Sequence, residues 1–300
     1  MASNPYLQFL PPEHRAAASA PAEETRWHWQ GHDVHVARAR RPDSAARVLL
    51  LHGAGGHSAT VWPLAALLAD RGLDVAAVDL PLYGRTISPS PGSVTYDDWV
   101  ALGLDLVEAE DDGRPLVVLG TSMGGMLGYE IGARSSAVAA VAATCLLDLH
   151  RQEGFSRFRA MGVLGRVLAP LVRGRVATTM LPVRRFADPT KLSRDARLSA
   201  LSAADPRGAG ASVPLGFLTS YVRYRHAAPA TMTKPVTLVH PALDAWTPPR
   251  VSLPVVQETA GPTHVVMLRG CGHVPTEEPG LSDLVAAVVE LADAACRTAR

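Results

Sequence analysis

The pentapeptide Gly120-Thr121-Ser122-Met123-Gly124 follows the apolar run Leu116-Val117-Val118-Leu119 directly and leads into a helix-compatible segment, Met126–Arg134. That order predicts a buried strand, a sharp reversal at the serine and a helix. So tight a reversal pushes the serine backbone into a strained conformation. Glycines two residues to either side leave room because neither carries a Cβ. The Ser122 hydroxyl then stands exposed at the carboxyl end of the sheet, with the Met123 amide beside it.

The remainder of the chain alternates in the same rhythm. Strands are predicted at Val48–Leu51, Asp74–Val78, Leu116–Leu119, Val138–Leu146, Val236–Val239 and Val265–Leu268, with helical composition over Ala65–Arg71, Asp97–Glu110 and Met126–Arg134. Leu284, Val285, Val288, Leu291, Ala292 and Ala295 recur at helical spacing and mark a final helix. Continuous apolar strands suit a parallel sheet covered on both faces, so the fold class is α/β, a doubly wound and mostly parallel sheet. Ahead of it, Thr25–Gln30 and Asp33–Arg38 alternate bulky and polar residues around Gly31-His32 and predict an antiparallel hairpin.

One interval breaks the rhythm. From Leu149 to Met232 the sequence shows no convincing strand, only short helical stretches punctuated by residues such as Gly154, Gly162, Gly165, Pro170, Gly174 and Pro182. It predicts an inserted helical cap at 149–232, between core segments 1–148 and 233–300, with 1–24 a flexible Pro/Ala-rich arm rather than a signal peptide. The cap holds thirteen arginines and one lysine against Glu153, Asp188, Asp195 and Asp205. That excess suits a solvated surface; alternatively, some arginines face the cleft and favour an anionic substrate.

Composition narrows the function classes. A chain of 300 residues with 47% hydrophobic content can bury one large core, and a net charge of +1 gives no reason to expect a nucleic-acid partner. Cys145, Cys271 and Cys296 are scattered, without zinc or disulfide spacing; Cys145 and Cys271 suit buried packing. No apolar run approaches the ~20 residues that cross a bilayer, so stable membrane insertion is not expected. An aromatic content of 5% also argues against docking on a membrane surface. These features suit a soluble, cytoplasmic protein.

A serine needs a general base, and the base needs an orienting acid. Of the eleven histidines, His273 fits best: it follows the last strand in Gly270-Cys271-Gly272-His273, where two glycines let the loop fold back. His28, His32 and His35 belong to the hairpin, His14 to the arm, His150 and His226 to the cap, and His240 ends a strand as a structural histidine would. Asp244, in the loop after the penultimate strand, is the candidate acid, with Asp148 as its alternative. The loop His52-Gly53-Ala54-Gly55-Gly56 follows the first strong strand and can offer an amide, foremost that of Ala54, to pair with Met123 as oxyanion donors. His52, Gly53, Gly55 and His57 are candidate pocket residues, although His57 could instead serve the turn alone. The loop lacks the last glycine of G-x-G-x-x-G and any Walker lysine, so nucleotide binding is a poor fit.

Together these residues resemble the α/β-hydrolase superfamily from about Arg26 onward. The order Ser122, Asp244, His273 is that family's order. Asp79-Leu80-Pro81-Leu82-Tyr83-Gly84-Arg85-Thr86 is similar to its D-x-P-G-x-G-x-S stretch, with departures at Leu82 and Thr86. The resemblance implies an acyl-enzyme on Ser122, a small-molecule substrate, and no cofactor or metal. It implies a serine hydrolase of carboxylic esters; a carbon–carbon bond hydrolase or an acyltransferase would use the same residues, and a ligand-binding relative would keep the fold without the chemistry.

Overall fold

The computed structural model describes residues 4–157, 171–185 and 188–298. Residues 158–170 and 186–187 of the expected cap, Gly162, Gly165 and Pro170 among them, lie outside the described residues. Strands β1 (Glu23–Trp29) and β2 (His32–Ala39) form the predicted hairpin. Its turn is Gln30-Gly31, one residue earlier than expected, and both residues have positive φ, 46° and 82°. This two-residue turn matches the twist of the strands it joins.

The hairpin extends a sheet of β3 (Arg47–Leu51), β4 (Asp74–Val78), β5 (Leu116–Gly120), β6 (Val138–Ala143), β9 (Val236–Pro241) and β10 (Thr263–Leu268). The spatial order is β1-β2-β4-β3-β5-β6-β9-β10, antiparallel at β1/β2 and β2/β4 and parallel elsewhere. Every residue of β3 and β5 is buried, as the apolar runs Val48–Leu51 and Leu116–Leu119 require. One face packs against α2 (Ser58–Asp70) and α9 (Gly280–Thr298), the other against α3 (Tyr96–Ala109) and α4 (Met123–Arg134). Between β6 and β9 lie α5 (Gln152–Arg157), α6 (Ala196–Ala204), α7 (Leu215–Arg223) and a two-stranded sheet of β7 (Met180–Pro182) and β8 (Ser212–Pro214), and α8 (Leu253–Glu258) joins β9 to β10. This small sheet corrects the expectation of a strand-free interval. Three residues ending in proline are too short for a period-two pattern to register.

Two further boundaries differ for physical reasons. The apolar run after β6 leaves the sheet at Ala143, where the Thr144 amide donates to Gly120 O and the Leu146 amide to Ser252 Oγ. Helix α2 starts at Ser58, seven residues before its expected start, because Thr60 and His57 close a capping box despite poor helix formers in the first turn. Pro63 lies inside this helix and has no amide to give to Ala59 O; Asn4 Nδ2 donates there instead, at 2.8 Å.

That contact belongs to a larger correction. The arm expected to be flexible is folded from residue 4: a 3-10 turn at Pro5–Phe9 and helix α1 (Pro12–Ala18) lie against α2. Tyr6, Leu10 and Ala18 are buried, and Trp62 Nε1 donates to Ala20 O. Its Ala- and Pro-rich sequence offers no periodicity, and it is held by isolated apolar anchors and single polar contacts.

Asp79, after β4, joins the layers. It accepts from the Ser58 amide at 2.5 Å, the Arg85 amide at 2.7 Å and His35 Nδ1 at 2.8 Å. Burial pushes its carboxyl up, but His35, the nearby His52 and the Ser58 amide outweigh it and hold the group down at about 2. The flanking turn closes although Leu82 stands where the family stretch has glycine: Leu82 adopts φ 82°, and Thr86 Oγ1 donates to Asp79 O. A depressed carboxyl stabilises the fold above its unfolded pKa and stops doing so as pH falls through the folded value. We expect chemical-denaturation stability to decline between about pH 4 and about pH 2. Asp79→Asn should lose about 2–4 kcal/mol at pH 7 and show a flatter acid limb.

Candidate active site

At the end of β5 the chain reverses within one residue. Ser122 has φ 53° and ψ −123°, and α4 begins at the next residue. A Cβ on Gly120 would fall 2.0 Å from Gly124 O, and one on Gly124 would fall 2.3 Å from Leu51 O. Both glycines are therefore steric requirements of the reversal. The Ser122 amide donates to Thr144 Oγ1 at 3.0 Å, so the end of β6 braces the turn.

The structure brings Ser122, His273 and Asp244 together. The Ser122 hydroxyl lies 2.9 Å from His273 Nε2, and His273 Nδ1 lies 2.7 Å from Asp244 Oδ2. His273 and Asp244 are buried, while Ser122 is partly exposed. Asp244 also accepts from the Trp246 and Thr247 amides at 2.8 Å each and from Thr247 Oγ1 at 2.7 Å. Burial works to raise this carboxyl, but His273 and the Thr247 donors hold it below the ordinary aspartate value. The imidazole therefore faces a carboxylate. Asp148, the alternative acid, accepts from the His150 amide and does not contact His273. His240 is fully buried with Nδ1 donating to Pro241 O, as a structural histidine. Cys145 and Cys271 are buried, and burial pushes their thiols up to about 11 and about 12.

The loop after β3 lies against the elbow: a Cβ on Gly53 would fall 2.7 Å from Ser122 Cβ. Neither the Ala54 nor the Met123 amide has a protein acceptor among the described residues. His52 fixes the loop from behind. Its Nδ1–H donates to Gly53 O at 2.8 Å, and its Nε2 accepts from the Leu80 amide at 3.0 Å. Complete burial pushes its pKa down to about 4, so it stays neutral, as that donor–acceptor pattern demands.

A cavity of about 130 Å³ opens beside Ser122. Its lining includes His52, Gly53, Ala54, Gly55, Trp246 and His273, together with a mostly apolar wall drawn from α2, α9, the cap and the N-terminal segment. His57 is not in the lining: it caps α2 and donates through Nε2 to Asp205 at 2.8 Å. Among the described residues no arginine lines the cavity either. The sequence reading missed Thr247, Thr144, Tyr6 and Leu10. Thr247 had a visible signal, Asp-x-x-Thr, in which an aspartate caps its own loop; the other three carried none.

An alpha/beta hydrolase family model matches residues 48–287, and the chain belongs to that family. No curated protein matches its sequence significantly. Among solved structures it is similar to a Paleococcus ferrophilus monoacylglycerol lipase, with TM-score 0.68, 21% identity, and coverage of 87% of this chain and 98% of the lipase. A soluble variant of Saccharomyces cerevisiae monoglyceride lipase, in complex with a substrate analogue, gives TM-score 0.73 and 16% identity over 92% of this chain and 97% of the other. The enol-lactonase of Burkholderia xenovorans LB400 gives 0.62 and 16% over 89% and 99%. These likenesses establish a shared fold. Among the described residues no helix is long and apolar enough to cross a membrane.

Thr247→Val keeps the shape but removes the hydroxyl donor from a buried carboxylate. We expect it to lower stability by about 1–3 kcal/mol in urea denaturation.

Proposed function

We propose that the chain is a serine hydrolase that cleaves carboxylic esters of uncharged, apolar acyl groups. One observation carries the reading: the hydrogen-bonded order Asp244–His273–Ser122 ends at one wall of an apolar cavity. His273 Nε2 takes the Ser122 proton as Oγ attacks the ester carbonyl. Asp244 holds the imidazole through Nδ1 and stabilises the imidazolium. The Ala54 and Met123 amides receive the oxyanion, a role for which two unengaged donors beside the serine are suited. His273 returns the proton to the leaving alcohol, then activates the water that frees the acid. The lipases and the lactonase named above are consistent with acyl chemistry on this fold, and the apolar lining favours neutral acyl chains over anionic ones.

Hydrolysis of p-nitrophenyl esters from acetate to palmitate is the test. Wild-type turnover should fall by about 10⁴ or more in Ser122→Ala. Asp244→Asn should lower kcat by about 10⁴ through the wrong imidazole tautomer. Turnover that survives in Ser122→Ala would refute the reading.

A further inference from the structure

We propose that the N-terminal segment, through Tyr6 and Leu10, is the specificity wall of the Ser122 cavity and sets the longest acyl chain it admits. The identity of the occupant rests on the ester-hydrolase reading; the wall itself does not. Tyr6 and Leu10 line the same cavity as Ser122 and His273. Leu10 is 3% exposed and packs in one apolar cluster with Leu64 of α2 and Leu281 of α9, which also line the cavity. The cavity thus runs from the serine to a piece of chain that precedes the sheet altogether.

Besides the Trp62–Ala20 hydrogen bond, three polar ties keep that piece in place. Asn4 Nδ2 donates to Ala59 O, the carbonyl that Pro63 leaves without a helical partner. His14 Nε2 meets Glu278 at 2.5 Å. The third tie joins the wall to the rest of the site: Tyr6 OH and His57 Nε2 both donate to Asp205 Oδ2, each at 2.8 Å. Asp205 closes α6 of the cap, and His57 starts α2 directly after the Gly53–Gly56 loop. One carboxylate therefore couples the N-terminal segment, the cap and the loop beside Ser122. Opposing interactions decide its charge: burial raises the Asp205 carboxyl, but His57, the Arg207 amide and Tyr6 pull it far below the ordinary value, so it stays ionised. In an apolar cavity each further methylene that finds room is worth roughly three- to fourfold in kcat/KM, and one that meets the wall gains nothing.

The experiment measures two chain-length profiles on wild type, Leu10→Ala, Leu10→Val, Leu10→Trp and Tyr6→Phe, with far-UV circular dichroism to confirm folding. One profile is kcat/KM across the p-nitrophenyl ester series; the other is binding of free fatty acids from four to sixteen carbons by calorimetry. Leu10→Ala and Leu10→Val should move the optimum to longer chains, and Leu10→Trp to shorter ones, with long-to-short ratios changing about tenfold or more. Tyr6→Phe, which keeps the ring but loses the tie, should blunt the cutoff. Fatty-acid profiles that coincide across the folded variants, or that show no length dependence in wild type, would overturn the proposal. Shifted fatty-acid profiles without Ser122-dependent ester turnover would uphold the wall and overturn the ester reading.

Discussion

The site depends on a reversal completed in one residue. Between β5 and α4 the backbone passes through φ 53° at Ser122, a conformation that costs of order 1–3 kcal/mol outside glycine. It holds because the structure over-determines it. Buried β5 fixes one side, the Thr144 hydroxyl takes the Ser122 amide, and Gly124 N bonds to Thr121 O. Backbone approaches at Gly120 and Gly124 leave no space for a Cβ. The same reversal exposes the serine oxygen and leaves the first amide of α4 without an intrahelical partner, so strain and chemistry share one origin.

Polar groups behind the site keep it in register without charging it. His52 is locked as a neutral imidazole between Gly53 O and the Leu80 amide, which ties the loop beside the serine to the segment after β4. Asp79 then ties that segment to β2 and to the start of α2. At the far side of the cavity Asp205 joins the cap and the N-terminal segment to the cap residue of α2. Both carboxylates are buried or nearly so, and both have N–H or O–H donors directed at them, the condition under which a buried charge supports a fold rather than opposing it.

Legibility in the sequence followed the range of the interactions. Parallel strands declared themselves because burial on both faces forces unbroken apolar runs, and the elbow because its glycines are steric requirements. His273 and Asp244 were found from their place after the last two strands. What stayed hidden depended on single contacts between distant segments. Asn4 with Ala59, Tyr6 with Asp205 and the Ser122 amide with Thr144 leave no periodicity. For that reason an Ala- and Pro-rich stretch read as a loose arm, although it is a wall of the cavity. His57, open between pocket and turn, is decided by a distant partner of the same kind: it follows the Gly53–Gly56 loop in sequence, but its ring turns to Asp205.

The central claim is that Ser122 is a nucleophile made reactive by His273. The most direct measurement is intact-protein and peptide mass spectrometry after treatment with diethyl p-nitrophenyl phosphate, which phosphorylates activated serines. The account predicts one diethylphosphoryl adduct, on the peptide containing Ser122, and its loss in a folded His273→Ala variant. Absence of the adduct in wild type, an adduct on another residue, or undiminished labelling in His273→Ala would contradict it.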